Sequence, residues 1–197
     1  ACGLPAIAKP CFGSGSVGVR VFERQADLDA FLADRNPGDW CVQQFVEGPS
    51  YSLEVIGRPG AYQAIQVTEL FMDDIWDCRK VLAPAVLPAD LEAEFRARSL
   101  AIAEALQLKG IMDVEVILAG GKFYFLEIDA RFPSQTPIAV YHSTGINMVR
   151  MLADLFVHGR AESVMNHSAG RATLEHVWVT GGETRCQGEH VMSHYGP

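Results

Sequence analysis

The sequence has no apolar run near the roughly 20 residues that span a bilayer, which removes a membrane-spanning helix. Its opening, Ala1-Cys2-Gly3-Leu4-Pro5, lacks the basic and apolar regions of a signal peptide. Cysteine is scarce and scattered. Cys2, Cys11, Cys41, Cys78 and Cys186 are an odd number with no CxxC, so a disulfide framework does not fit and a reducing cytoplasm is expected. Positive charge is short as well. The 16 Lys+Arg stand against 24 Asp+Glu, a formal charge of −8, and such a surface repels phosphate backbones. Neither nucleic acid nor a membrane is therefore expected as a partner. His176, His190 and His194 fit no common zinc spacing.

What is there suffices for a core: 197 residues, 49% hydrophobic, fill one large domain or two small subdomains. Alternating and β-branched runs predict strands over 5–9, 18–22, 40–45, 51–56 and 62–70. Helical spacing predicts helices over 26–34, 88–108 and 147–157. Segments 111–118 and 122–128 form a hairpin around Ala119-Gly120-Gly121, and a late strand covers 171–179. The class is α+β, with a boundary near 72–84. That predicts a small lobe over 1–72, a large lobe over 73–170 and C-terminal strands over 171–197. With no starting Met and a strand within a few residues, a piece of a longer protein is expected.

Gly13, Gly15 and Gly18 form G-x-G-x-x-G, but a strand follows where a dinucleotide fold needs a helix N-terminus. A P-loop would need Gly-Lys-Ser/Thr, and a protein kinase would need its lysine after the loop with HRD and DFG; none is present. What remains is a hairpin loop, Gly13-Ser14-Gly15-Ser16-Val17-Gly18, with Lys9 just upstream. Its backbone N–H groups suit a polyphosphate, and Lys9 supplies a point charge. A flexible hairpin with a surface lysine would read the same.

The second segment decides more. Residues two apart share a strand face, so Asp113 with Glu115, and Glu127 with Asp129, each point one way on neighbouring strands. Carboxylates gathered among Val, Ile, Phe and Leu are costly without a cation. Hard oxygen donors favour Mg²⁺ or Mn²⁺ over zinc. Arg131, two residues past Asp129, adds a planar fork for a phosphoryl or carboxylate oxygen. The plainer alternative is an amphipathic hairpin with acids in solvent.

Together these residues resemble the ATP-grasp superfamily: a lysine strand (Lys9), a glycine loop (Gly13 to Gly18), a hinge (Gln43-Gln44-Phe45-Val46-Glu47-Gly48) and a final Glu127-Ile128-Asp129-Ala130-Arg131. The resemblance implies two α+β lobes with antiparallel sheets clamping ATP, and a missing N-terminal Rossmann-like domain. It implies nucleotide contacts from Lys9, Gly13, Ser14, Gly15, Ser16, Gly18, Gln44, Phe45 and Val46, with Glu47 or Glu54 at the ribose or adenine amine. Metal would be held by Glu115, Glu127 and Asp129, with Asp113 able to share.

A closer similarity is to the pyrrolysine-biosynthesis ligase family, carried by Leu126 to Tyr141, by Ser143-Thr144-Gly145-Ile146-Asn147-Met148, by Asp77-Cys78-Arg79-Lys80, by Gly110 to Val116 and by Gly188-Glu189-His190-Val191-Met192. It implies ATP-dependent joining of 3-methyl-D-ornithine, or D-ornithine, to the side-chain amine of L-lysine through an acylphosphate. Arg131, Lys80 and Arg79 would then be catalytic, and Ser134, Gln135 and Thr136 would hold the amino acids. The alternatives are another ATP-grasp amino-acid ligase, a carboxylase-type enzyme, or a non-catalytic nucleotide-binding module. A homodimer is left open.

Overall fold

A computed structural model of the chain describes residues 3–13, 15–160 and 170–188. Ser14, His190, His194 and the Glu189 to Met192 segment lie outside the described residues.

The first sheet is antiparallel, in the order β2-β1-β3, from β1 (Ala6–Pro10), β2 (Arg20–Phe22) and β3 (Trp40–Gln44). Helix α1 (Gln25–Ala33) packs on one face of it. Alternation on β1 turns the small Ala6 and Ala8 toward Leu28 and Phe31 of that helix. Small residues there let helix and sheet approach, and Phe31 meets Trp40 edge-on at 4.8 Å. Lys9 pairs with Cys41, and Ile7 with Gln43, on the opposite, open face.

The second sheet has the order β8-β7-β4-β5-β6-β9. Its strands are β4 (Ser50–Arg58), β5 (Ala61–Met72), β6 (Cys78–Ala83), β7 (Gly110–Ala119), β8 (Lys122–Asp129) and β9 (Ala172–Glu175). Helix α2 (Ala89–Ala105) covers one face, where Phe95 and Ala103 meet Leu53, Val55, Val67, Met112, Val114 and Val116. Its outer surface carries i,i+4 pairs, Glu92–Arg96 and Glu94–Arg98. Helices α3 (Thr136–Thr144) and α4 (Met148–His158) cover part of the other face, packing Val140, Met148 and Leu155 on Ile56, Ile65 and Ile111. Strands β10 (Val177–Thr180) and β11 (Glu183–Cys186) make a separate hairpin.

Several expectations change in detail. The larger sheet contains β4 and β5, so its strands lie on both sides of residue 72, and the passage between sheets falls in 45–49. The boundary expected near 72–84 falls inside this sheet, where Asp73 closes residues 73–77 into a hairpin turn between β5 and β6. Its Oδ1 accepts from the N–H of Ile75 and of Asp77, both at 3.0 Å. The late strand breaks at His176, whose N–H donates to the carbonyl of Arg79 at 3.0 Å: β9 joins the sheet edge and β10 leaves it. Helix α3 was hidden by Pro137, which sits in its first turn, where a missing N–H costs nothing. Among the described residues no helix is long and apolar enough to cross a membrane.

Candidate functional site

The strand register assembles the acids. On β7 and β8, Asp113 lies opposite Asp129 and Glu115 opposite Glu127. On the other side of β7, β4 places Glu54 opposite Asp113 and Ser52 opposite Glu115. A bulge is essential to this row. Val116 pairs with Phe125, so an uninterrupted ladder would set Leu126 and Ile128 against Glu115 and Asp113. The extra Leu126 slips β8 by one residue and brings Glu127 and Asp129 onto the acid face instead.

The row is dry. Glu54 is fully buried and Asp113 nearly so. Burial first, then the charge of Asp113, pushes the Glu54 carboxyl up to about 8. Burial pushes Asp113 up to about 6, although the hydroxyl of Ser52 donates to its Oδ1. Burial, with Asp113 and Glu127 beside it, holds Glu115 well above the usual carboxylate range. Burial and then Asp129 raise Glu127, while Lys9 and Arg131 pull it down. Lys9 belongs to the small sheet, so the two sheets face each other across the acids. Arg131 pairs with Asp129 at 2.5 Å. The glycine loop reaches over too: Ser16 Oγ donates to the carbonyl of Trp76, in the turn before β6, at 2.9 Å.

The remaining expected residues fall into three groups. Gly13, Gly15 and Gly18 sit beside Lys9 in the loop; a side chain at Gly18 (φ 83°) would meet Pro10 at 3.1 Å. Gln44 ends β3, and Phe45, Val46 and Glu47 form the passage between sheets, with the Phe45 N–H on the carbonyl of Pro5 at 2.8 Å. Gly48 lets that passage press against β7, since a Cβ there would lie 2.3 Å from the Leu118 carbonyl. Glu54 lies within the acid row, where Thr136 Oγ1 donates to its Oε1 and its Oε2 has no partner. Gln135 Nε2 donates to the Cys78 carbonyl at 3.3 Å, so Ser134, Gln135 and Thr136 lead from Arg131 back to the sheet. Arg79 and Lys80 are engaged with β5: Arg79 Nε donates to the Met72 carbonyl at 3.2 Å, and Lys80 Nζ sits 3.9 Å from the Phe71 ring centroid. The positive charges that bear on the raised acids are Lys9 and Arg131, and neither is a cause of the shift at Glu54.

Ser52 was missed in the sequence, and Glu54 was read for a different role. Their signal was there: polar residues alternate with Leu53 and Val55, just as Asp113 and Glu115 alternate with Met112, Val114 and Val116. Gln66, which accepts from Ser143 Oγ at 2.7 Å, follows the same pattern.

Among the described residues no three His, Cys, Asp or Glu side chains form a metal cluster unaided. Even so, the donors are hard oxygens, and burial with mutual repulsion leaves them short of positive charge. That combination fits a hard divalent ion whose remaining ligands come from elsewhere, such as phosphate oxygens or water.

Comparison with known proteins bears on the family and the fold. A family profile described as "ATP-grasp domain" matches residues 3–135. The 3-methyl-D-ornithine–L-lysine ligase of Methanosarcina mazei is 38% identical over 191 residues, 96% of this chain and 48% of that protein. This chain thus spans about half the length of the curated relatives it matches. A biotin carboxylase of Campylobacter jejuni superposes with a TM-score of 0.76 at 19% identity, over 87% of this chain and 41% of that one. The biotin carboxylase domain of the Hydrogenobacter thermophilus 2-oxoglutarate carboxylase, solved with MgADP, gives 0.75 at 17% identity, over 87% and 41%.

Proposed function

We propose, from the premise that this chain belongs to the ATP-grasp family, that it is the nucleotide-binding core of a cytoplasmic carboxylate–amine ligase. The reaction joins 3-methyl-D-ornithine, or D-ornithine, to the side-chain amine of L-lysine. The relatives support the choice of substrates, and the observation that carries the chemistry is the placement of Lys9 and Arg131. Lys9 comes from the small sheet and Arg131 from the loop after β8, and both draw down the same carboxylate, Glu127.

ATP lies between the sheets in this proposal. The loop amides from Gly13 to Gly18 and the ammonium of Lys9 hold its phosphates, and the 45–48 passage reads the base. Mg²⁺ (or Mn²⁺) would be held by Glu115, Glu127 and Asp129, and when bound it neutralises the triphosphate. The carboxylate of the ornithine substrate attacks the γ-phosphorus, and ADP leaves. The lysine amine then attacks the acylphosphate carbon, phosphate departs and the amide remains. Arg131 meets the oxyanion that develops in this second step. Arg79 and Lys80 enter only if they are released from β5.

The buried pair Glu54 and Asp113 gives the site its taste for cations. Among the described residues no cation is a cause of the shift at Glu54 and its Oε2 has no partner, so an ammonium group of a diamino acid brought beside it would draw the proton off and pair with the carboxylate. The test incubates the full-length protein with ATP, Mg²⁺, L-lysine and D-ornithine and looks for the isopeptide by mass. Appearance of the mass difference of one amide bond supports the assignment. ADP release without any amide, or amide only from uncharged amino acids, overturns it.

A further inference from the structure

The two strands β4 and β5 fall out of step directly beside Glu54. Leu53 pairs with Val67 and Val55 with Ala64, so Ile65 and Gln66 together oppose that one glutamate. A bulge of this kind bends the strand and re-aims its side chains. It also disturbs the carbonyls, which point to opposite edges at successive positions of a regular strand. Here the carbonyls of Ala64 and Ile65 converge on a single donor, Arg96 Nη1, at 2.9 and 3.1 Å. The pairing of β6 with β5 covers Glu69 to Met72, and Ala85 N–H reaches the Val67 carbonyl, so both bulge carbonyls lie beyond the end of that strand. Arg96 comes from α2, on the face away from the acids, and Glu92 one turn earlier holds its Nε and Nη2, each at 2.9 Å.

We propose that Arg96, oriented by Glu92, is a positioning residue for the acid row. It acts through the bulge that sets Glu54 and Gln66. Glu54 receives Thr136 at the start of α3, and Gln66 receives Ser143 near its end at 2.7 Å. One guanidinium behind the sheet therefore governs two anchors of the helix that follows the Arg131 loop. A planar fork is required, because an ammonium cannot span two carbonyls and a carboxylate in one plane. This role rests on the proposal above that Glu54 receives a cationic amino group.

The experiment compares Arg96→Lys and Arg96→Ala with Arg98→Lys in the full-length protein. Arg98 makes the matching pair with Glu94 on the same helix at 2.8 Å, toward solvent. The expected result is a KM for D-ornithine or L-lysine raised at least tenfold in Arg96→Lys, with the KM for ATP within twofold and Arg98→Lys unchanged. An Arg96→Lys protein whose amino-acid KM values stay within twofold, or rise in parallel with that for ATP, overturns the role. If Arg96→Ala does not fold, Arg96→Lys decides. Glu54→Gln is measured alongside. If it leaves both amino-acid KM values unchanged, the assignment of Glu54 falls; if it raises one while Arg96→Lys raises none, only the positioning role falls.

Discussion

Along β4 and β7 the two faces of one sheet are equally dry and chemically opposite. Leu53, Val55, Met112, Val114 and Val116 are 0% exposed against α2; Ser52 and Glu54 are also 0% exposed, and Asp113 is 4%, on the reverse. Burial alone therefore does not separate core from site. What separates them is whether burial is offset within the chain. Toward α2, apolar contact offsets it. Toward the acids, desolvation leaves carboxyls raised with Lys9 and Arg131 as the charges against them. The first face holds the fold, and the second holds a demand for cations that a ligand must meet.

The strongest way to break this contrast is to remove a charge from the second face. Arg131→Ala is expected to cut amide formation by roughly 10²–10³, about 3–4 kcal/mol of transition-state stabilisation, while leaving ATP affinity largely intact. Single-turnover amide formation and nucleotide titration in the full-length enzyme check it. Turnover near that of the parent would take Arg131 out of the chemistry. Arg131 sits at the half-exposed rim and contacts Asp129, so the fold should tolerate its loss.

Next in size is the opposite face. Leu53→Ala, one residue from Glu54, should destabilise by about 2–5 kcal/mol through lost burial and a cavity beneath Phe95. Denaturant midpoints measure it. The KM values of the folded fraction should stay put; if they move with the Leu53 cavity, apolar packing against α2 sets the acid row as well as the Arg96 contact does.

The third prediction sets pH against the acids. The folded-state values of Glu54 (about 8) and Asp113 (about 6) lie above their ordinary 4.5 and 3.8. The native state then keeps protons that the unfolded chain has released. The contribution of these two groups to ligand-free stability is accordingly largest in acid and falls as pH rises from about 4 toward about 8. Glu54→Gln should flatten that slope from about 4.5 to about 8, leaving only the share of Asp113 below about 6, and recover roughly 1–3 kcal/mol at its top, the penalty of one unpaired buried group. Melting temperatures across pH decide it: an unchanged slope in Glu54→Gln means that its carboxyl is not the one titrating.

The same contrast explains what could be read in the sequence. Period-2 alternation exposes the Asp113/Glu115 and Glu127/Asp129 pairs, because facing is a local property of a strand. The row itself is not local. It needs Leu126 as an uncounted residue in β8, and it needs β4, from much earlier in the sequence, to lie beside β7. Glu54 consequently reads as a hinge neighbour, although register places it against Asp113. Lys9 was legible as a phosphate-seeking lysine, but its bearing on Glu127 depends on how two sheets meet, which no single segment encodes. Helix α3 was obscured because Pro137 breaks a helix anywhere except in the first turn.

The smallest expected effect tests the part of the acid-side face that α4 covers. Asn147 caps that helix: its Oδ1 accepts from the Arg150 N–H at 2.9 Å, satisfying a donor the helix start leaves open. Behind the cap, Met148 and Leu155 pack on Ile56 and Ile111, which continue the strands carrying Glu54 and Asp113. Asn147→Ala should cost about 1 kcal/mol in urea titrations. Because α4 touches the apolar end of the face rather than the carboxyls, KM values for ATP and amino acids should not move. A kinetic change as large as that of Glu54→Gln would mean that the helical cover and the acid row act as one unit, and the division drawn between packing and chemistry would have to run across this face rather than through the sheet.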